Sequence, residues 1–172
     1  MVEKLQLTEA REAFIRQWGV MGSNWGINRT MAQIHALIMV ARNPLSTDDV
    51  MEALAISRGN AHTNLKELVS WGLVRSVIKK GERKEFFEGE KEVWKIFQII
   101  LRERKRREVD PVLAMLEDCA DRTAGLKSED AATYHKQITE LQEFVASCSS
   151  VMDKVAASKR TNVLGWALKY LK

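Results

Sequence analysis

Arg58, Gly59, Asn60, His62, Thr63 and Lys66 lie within one short stretch of the chain. All but Gly59 are hydrogen-bonding types suited to base edges or phosphates, and arginine and asparagine match guanine and adenine in particular. Gly59 lets a second backbone come close. A helix that only has to be soluble carries Glu and Lys more often than this set. A second group, Lys79, Lys80, Arg83 and Lys84, crowds around Gly81. Four cations on one tight turn suit phosphate oxygens, which position a protein on a duplex without carrying sequence. The chemistry these two groups offer is nucleic-acid recognition.

Two short helices must position the first group. Ser46 and Thr47 are helix-starting residues, and Asp48 and Asp49 place negative charge in the first turn, where the helix dipole favours it. Val50, Met51 and Leu54 make a short apolar stripe, and Ala55-Ile56 reads as the turn. Ser57 caps the next helix. Its Ala61, Leu65, Leu68 and Val69 fall on one face, and Gly72 ends it. The polar set lies on the opposite face. In a helix-turn-helix the second helix enters the major groove with its N-terminal residues on base edges. Any helical hairpin gives the apolar pattern, so the polar face carries the argument.

From Leu73 to Gly89 the chain reads LVRSVIKKGERKEFFEG. Val, Ile and Phe alternate loosely with polar residues on both sides of KKGERK, which predicts a β-hairpin with Gly81 in its loop. A basic hairpin after a helix-turn-helix is a wing. The competing reading is a structural winged helix that contacts proteins and no nucleic acid; salt-dependent retention on heparin or DNA separates the two.

The segments SRGN, NLKEL and WGLV, then GERKEFFEGEKEVWKIF, resemble the GbsR-type branch of the MarR-like winged-helix transcription regulators. WGINRTMAQIHALIM, from Trp25 to Met39, and RERKRREVDPVL, from Arg102 to Leu113, extend the resemblance over most of the chain. His62 departs from the small hydroxyl residue expected there, and Asn28 from a common proline. The resemblance implies a homodimer on double-stranded DNA at a pseudo-palindromic operator. Ser57, Arg58, Asn60, His62, Thr63 and Lys66 would contact DNA from the recognition helix, and Lys79, Lys80, Arg83 and Lys84 from the wing. It implies that the N-terminal helix joins the dimer interface. It also allows a quaternary-ammonium effector. Trp18, Trp25, Trp94, Tyr134 and Trp166 are numerous enough for an aromatic cage that holds such a cation by its ring faces; ordinary core packing is the competing reading for each.

Elsewhere the periodicity predicts helices. One begins at Thr8, buries Ala10, Phe14, Trp18 and Met21, and ends at Gly22-Ser23. Thr30 and Gln33 have capping-box spacing before Met31, Ile34, Leu37, Ile38 and Ala41. His35, beside that face, reads as a satisfied, semi-buried histidine. A long helix is expected from Glu90 to Glu108. Its last stretch, Arg102 to Arg107, has five basic residues in six. Two readings stand: a helix end favoured by the dipole, or a second phosphate contact. Asp110-Pro111 is expected to restart the chain with proline at the first helical position. Val112, Leu113, Leu116, Cys119 and Ala120 then face inward, and Thr123 to Lys127 forms a loop. Ala131, Tyr134, Ile138, Leu141, Val145, Cys148, Met152 and Val155 alternate spacings of three and four, a heptad seam. Phe144 and Val151 widen it towards a bundle. A last helix is expected from about Asn162. The fold class is thus mainly α: a winged helix-turn-helix with a small β-hairpin wing over residues 1–89, and a C-terminal helical dimerisation bundle over residues 90–172.

Composition bounds the rest. With 45% hydrophobic and 29% charged residues, the chain has an ordinary soluble composition. Its net charge of +4 is small, but the distribution is informative. Residues 1–53 hold five Lys+Arg against six Asp+Glu, whereas residues 54–84 hold seven against two. The excess lies on the proposed reader and wing. No apolar run suits a secretion signal or the roughly 18 residues of a membrane span. A reduced, cytoplasmic protein is expected, with Cys119 and Cys148 buried as small apolar residues. There is no glycine-rich phosphate loop and no GxSxG. His35, His62 and His135 are scattered without ligands at metal spacing. An enzyme reading has nothing to rest on, and no cofactor is expected.

Overall fold

The computed structural model describes residues 2–159. Two compact units divide between Ile96 and Phe97. In the first, the order is α1 (Val2–Asn24), α2 (Arg29–Val40), β1 (Leu45–Ser46), α3 (Thr47–Leu54), α4 (Arg58–Trp71), β2 (Val74–Ile78) and β3 (Glu85–Gly89). α5 (Val93–Arg104) follows and runs across the division.

α2 is the centre of the first unit. Met31, Ala32, Ile34, His35, Ala36 and Ile38 are all buried, so the helix is covered on more than one face. α4 adds Ala61, Leu65, Leu68 and Trp71, α3 adds Val50, Leu73 follows α4, and the sheet adds Val74, Phe86 and Phe87. The sheet is antiparallel in the order β1-β3-β2, with Ile78 opposite Glu85 and Val74 opposite Gly89. β1 pairs Leu45 with Phe87. It was invisible in the sequence, because two extended residues before a helix cap have no periodicity to read.

Several boundaries differ from expectation for identifiable reasons. α1 starts at Val2, well before Thr8, and runs through Gly22 and Ser23. Gly22 is there for packing: a Cβ on it would meet the Ala32 Cβ at 2.5 Å, so α1 and α2 approach through it. Ile15 is buried on α1, while Ala10 is exposed. α2 is capped by Asn28, whose side chain accepts from the Met31 N–H at 3.1 Å. Thr30 is therefore already inside the helix, and Asn28 begins it by a side-chain hydrogen bond where a proline ring was the common alternative. Lys91 closes the other end, donating to the carbonyls of Ile38, Met39 and Ala41. α5 begins at Val93, because the Glu92 carboxylate accepts from the Trp94 and Lys95 N–H groups, each at 2.8 Å. Val69, expected inside, is exposed, and Trp71 is buried in its place, its indole donating to Glu67 at 3.0 Å. His35 is more deeply buried than expected and is not satisfied: it is 3% exposed, and its Nε2 makes no hydrogen bond.

The second unit continues through a π-helical segment (Lys105–Val109) into α6 (Asp110–Thr123) and then α7 (Glu129–Ala157). The expected break at Asp110-Pro111 does not occur. Proline lacks an N–H and its ring would clash with the carbonyl four residues back. The helix widens instead, with the Asp110 N–H bonding to the Lys105 carbonyl five residues back. The basic run is therefore no helix end. Its cations are engaged locally: Arg104 with Glu108, Arg106 with Glu103, and Lys105 with Asp110 and Asp153.

α6 and α7 form a hairpin around Leu116, Ala120, Ser149 and Ala156. Ser128 caps α7, and Thr123 meets His135 Nδ1 at 2.9 Å. The inward face of α7 keeps five of the eight residues of the expected seam, namely Ala131, Ile138, Val145, Met152 and Val155. The rest of that face is His135, Gln142, Ser149 and Ala156; the first three stand one residue after the expected Tyr134, Leu141 and Cys148. Small and polar residues let α6 come close. Tyr134, Leu141 and Cys148 are exposed within the chain, as are Phe144 and Val151. Cys119 is half-buried and touches the Met115 sulfur at 3.8 Å. The expectation of two buried cysteines fails: Cys119 is only half-buried, and Cys148 is exposed on α7. The expected final helix and Trp166 lie outside the described residues. Among those residues, no helix is long and apolar enough to cross a membrane.

Candidate nucleic-acid interface

The interface is built by caps. Ser46 Oγ accepts from the Asp49 N–H at 3.2 Å, and the Asp49 carboxylate accepts from the Ser46 N–H at 2.7 Å. This reciprocal box fixes where α3 starts. It also holds the Asp49 carboxyl below its ordinary range, mainly through those Ser46 hydrogen bonds. Ala55 ends α3 in the left-handed region at φ 50°, turning the chain within two residues. Ser57 Oγ then accepts from the Asn60 N–H at 3.3 Å and starts α4. At the far end Gly72 has φ 80°, a conformation that costs glycine nothing, and the strand follows at once.

With Ala61, Leu65 and Leu68 inside, Arg58, Gly59, Asn60, His62, Thr63 and Lys66 are all exposed. The six residues singled out in the sequence share the outer face of α4. Ser57 is exposed beside them, its hydroxyl engaged as the cap. Asn60 is oriented by a neighbour that the sequence pattern did not single out. Asn64, buried on the inner side, donates to the Asn60 side-chain oxygen at 2.7 Å and to its carbonyl at 2.8 Å. The spacing of four between two asparagines was the available signal.

The wing residues separate. Lys80 and Arg83 are exposed near the tip, and among the described residues neither makes an ion pair. Lys79 folds back: its ammonium sits 3.8 Å from the centre of the Phe86 ring and 3.5 Å from the Pro44 carbonyl. Lys84 donates to Asp48 at 2.8 Å. Asp48 also accepts from Arg58, so one carboxylate of α3 joins the start of α4 to the wing. Hydrogen bonds from Lys84 first, and then from Arg58, hold the Asp48 carboxyl below its ordinary range. The Lys84 ammonium is raised in return. In the sequence Asp48 has only a helix-dipole role, because a partner ten residues away shows no helical spacing.

The aromatic residues are spread out. Trp18 packs against Phe14 and His35, with ring centroids 5.4 and 6.1 Å apart, on the α1–α2 side of the first unit. Trp25 is 56% exposed after α1, Trp94 is half-buried in the first turn of α5, and Tyr134 lies in the second unit. Among the described residues, no cluster of three or more His, Cys, Asp or Glu could hold a metal ion.

Comparison with known proteins agrees with this geometry. The MarR family model matches residues 25–84, which span α2, the helix-turn-helix, β2 and the loop of the wing. The HTH-type transcriptional repressor GbsR of Bacillus subtilis (strain 168) is 26% identical over 125 residues, covering 72% of this chain and 69% of that protein. A crystal structure described as that of a transcriptional regulator superposes with a TM-score of 0.63 at 19% identity, over 86% of this chain and 95% of that one. The last shows the fold; the first two place the sequence on it. The chain thus has a winged helix-turn-helix fold, matches the MarR family over residues 25–84, and is similar to the GbsR repressor over most of its length.

Proposed function

We propose that this chain is a sequence-specific transcription regulator that binds double-stranded DNA as a homodimer. The observation that carries the reading is the exposed polar face of α4, aligned with a basic wing in one winged unit. Arg58 and Asn60 begin the helix that enters the major groove. Lys80 and Arg83 reach phosphates beside it. Heparin or DNA retention that falls with salt supports this reading, and salt-independent passage through both columns rejects it.

The dimer rests on the second unit. Tyr134, Leu141, Phe144 and Val151 leave 43–67% of their surface exposed, and Met115 on α6 leaves 51%. Apolar residues of this size in a row mark an association surface. A second copy of the chain would cover them and would set two α4 helices on half-sites about 34 Å apart. Sedimentation at micromolar concentration is expected to give about 39 kDa, twice the chain mass of 19.6 kDa. Phe144→Asp, at a position exposed within the chain, should yield a folded monomer that binds DNA at least tenfold more weakly, because the two half-sites are no longer engaged together. A wild-type monomer that binds DNA tightly would contradict the dimer.

The effector rests on the resemblance alone. Its class is a quaternary ammonium, held by aromatic faces among Trp18, Trp25, Trp94, Tyr134 and Trp166. Calorimetry with choline and with betaine tests it; no heat and no change in DNA affinity would remove it.

Gly59 separates stability from binding. Nothing lies within 4 Å of the place a Cβ would occupy, so the fold does not require glycine. Gly59→Ala should raise stability by roughly 0.5–1 kcal/mol. It should also weaken DNA binding, because the added methyl stands where the backbone approaches the duplex. A melt and a binding titration on the same variant check both. Unchanged affinity would place the closest approach elsewhere on α4.

A further inference from the structure

Asp48 sits in the middle of the DNA-binding surface and has the charge of DNA itself. One carboxylate oxygen accepts from Arg58 at the start of α4, and the other accepts from Lys84 in the loop of the wing. The side chains of Arg58 and Lys84 are 66% and 61% exposed, so the cluster stands on the outer surface, where a duplex would arrive. The carboxylate is not needed to hold α3 together. The neighbouring Asp49 and Ser46 form the cap, and Asp48 takes no part in it.

We infer that Asp48 is a specificity-determining residue, whose carboxylate occupies Arg58 and Lys84 until a cognate site displaces it. The inference rests on the DNA-binding reading of α4 and the wing. Its physics is a competition. An exposed ion pair is worth at most about fivefold in an equilibrium. A good arginine contact to guanine discriminates by roughly 5- to 150-fold. A cognate guanine therefore takes Arg58 from Asp48. A random sequence offers only phosphate contacts, and each must displace the carboxylate for little gain. The carboxylate also repels the phosphate backbone when no base contact compensates. Discrimination thus comes from an element that penalises the wrong partner as well as from one that rewards the right partner.

The test compares Asp48→Asn, which keeps the shape and removes the charge, with Asp48→Glu, which keeps the charge. The probes are a duplex recovered by selecting bound genomic fragments and a scrambled duplex of the same composition. Both are titrated with the full chain from about 0.05 to 0.3 M salt, a range that spans the usual salt response. Asp48→Asn is expected to bind the scrambled duplex roughly 3- to 10-fold tighter, with a salt slope steeper by about one to two, the number of cations released. The recovered duplex should gain less, so the ratio of the two affinities falls. Asp48→Glu should keep most of the wild-type ratio. Equal gains on both duplexes, equal losses on both, or no change would each overturn the proposal. Wild-type protein without salt-dependent binding to either duplex would overturn the DNA reading itself, and that arm is read before any variant.

Discussion

Lowering the pH from 7 to 5 is expected to cost the first unit about 2 kcal/mol of stability through His35 alone. The ring is 3% exposed, its Nε2 makes no hydrogen bond, and burial lowers its pKa from 6.5 to about 4. The folded state therefore resists a proton that the unfolded chain accepts readily. Between pH 6.5 and pH 4 the unfolded chain binds more protons, and stability falls as the pH falls. The contribution is fully present above 6.5. It is lost by about 3 kcal/mol once the pH reaches the folded value, since each tenfold drop in proton affinity corresponds to about 1.4 kcal/mol. Asp48, Asp49 and Glu90, whose carboxyls are all lowered, add their own losses at more acidic pH. The His35 window opens first, because its ordinary pKa is higher than theirs.

Urea unfolding followed by tryptophan fluorescence at pH 7, 6 and 5 measures this, since Trp18 packs against the His35 ring. His35→Met, similar in volume and unable to titrate, should flatten the profile across that range. It should not destabilise the protein much at pH 7, because it removes a buried nitrogen that has no partner. A wild-type midpoint that stayed put between pH 7 and 5 would mean the imidazole is hydrated or paired in solution.

His35 also shows where sequence reading stops. Its place beside an apolar face was legible; how far α1 would cover it was not. The apolar stripe predicts which face is buried, and the depth depends on a close approach that Gly22 permits. The caps were more legible. Ser57 and Gly72 act within a few residues of chain, and local chemistry decides them. The hairpin was legible too, from its flanking strands and Gly81. What failed was non-local or spread across competing patterns. Pro111 reads as a restart, yet a widened helical turn absorbs it. The α7 seam had two frames one residue apart. Apolarity favoured the frame through Tyr134, Leu141 and Cys148. Packing against α6 takes the frame through His135, Gln142 and Ser149, whose smaller or polar side chains fit a close hairpin. The apolar frame remains exposed, and the proposed second chain would cover it. In the candidate interface, the residue types on α4 were readable one by one. Asp48 was not, because its partners come together only when the two helices and the wing fold against one another.

The two halves of that interface are expected to fail differently when mutated. Arg58 and Asn60 begin α4, where side chains reach base edges. Arg58→Ala or Asn60→Ala should cost roughly 1–3 kcal/mol on the cognate site and relax preference there, with little change on a scrambled duplex. Asn64→Ala should act in the same direction as Asn60→Ala and more weakly, because it releases the Asn60 amide without removing it. Lys80 and Arg83 stand exposed on the wing. Lys80→Ala or Arg83→Ala should weaken all sequences alike and flatten the log-affinity against log-salt slope by about one for each phosphate that no longer meets a cation. Lys79→Ala is expected to differ from both. Its ammonium covers the Phe86 ring, so the effect should appear in the stability of the wing more than in the salt slope. A salt titration of each variant on cognate and scrambled duplexes, beside a melting curve, separates the three outcomes. Wing variants that lost discrimination while Arg58 and Asn60 variants lost only salt dependence would reverse reader and anchor. No change in any of the four would move the DNA surface away from α4 and the wing. The Arg102–Arg107 run would gain little from that result, since Arg104, Lys105 and Arg106 already face carboxylates of their own unit.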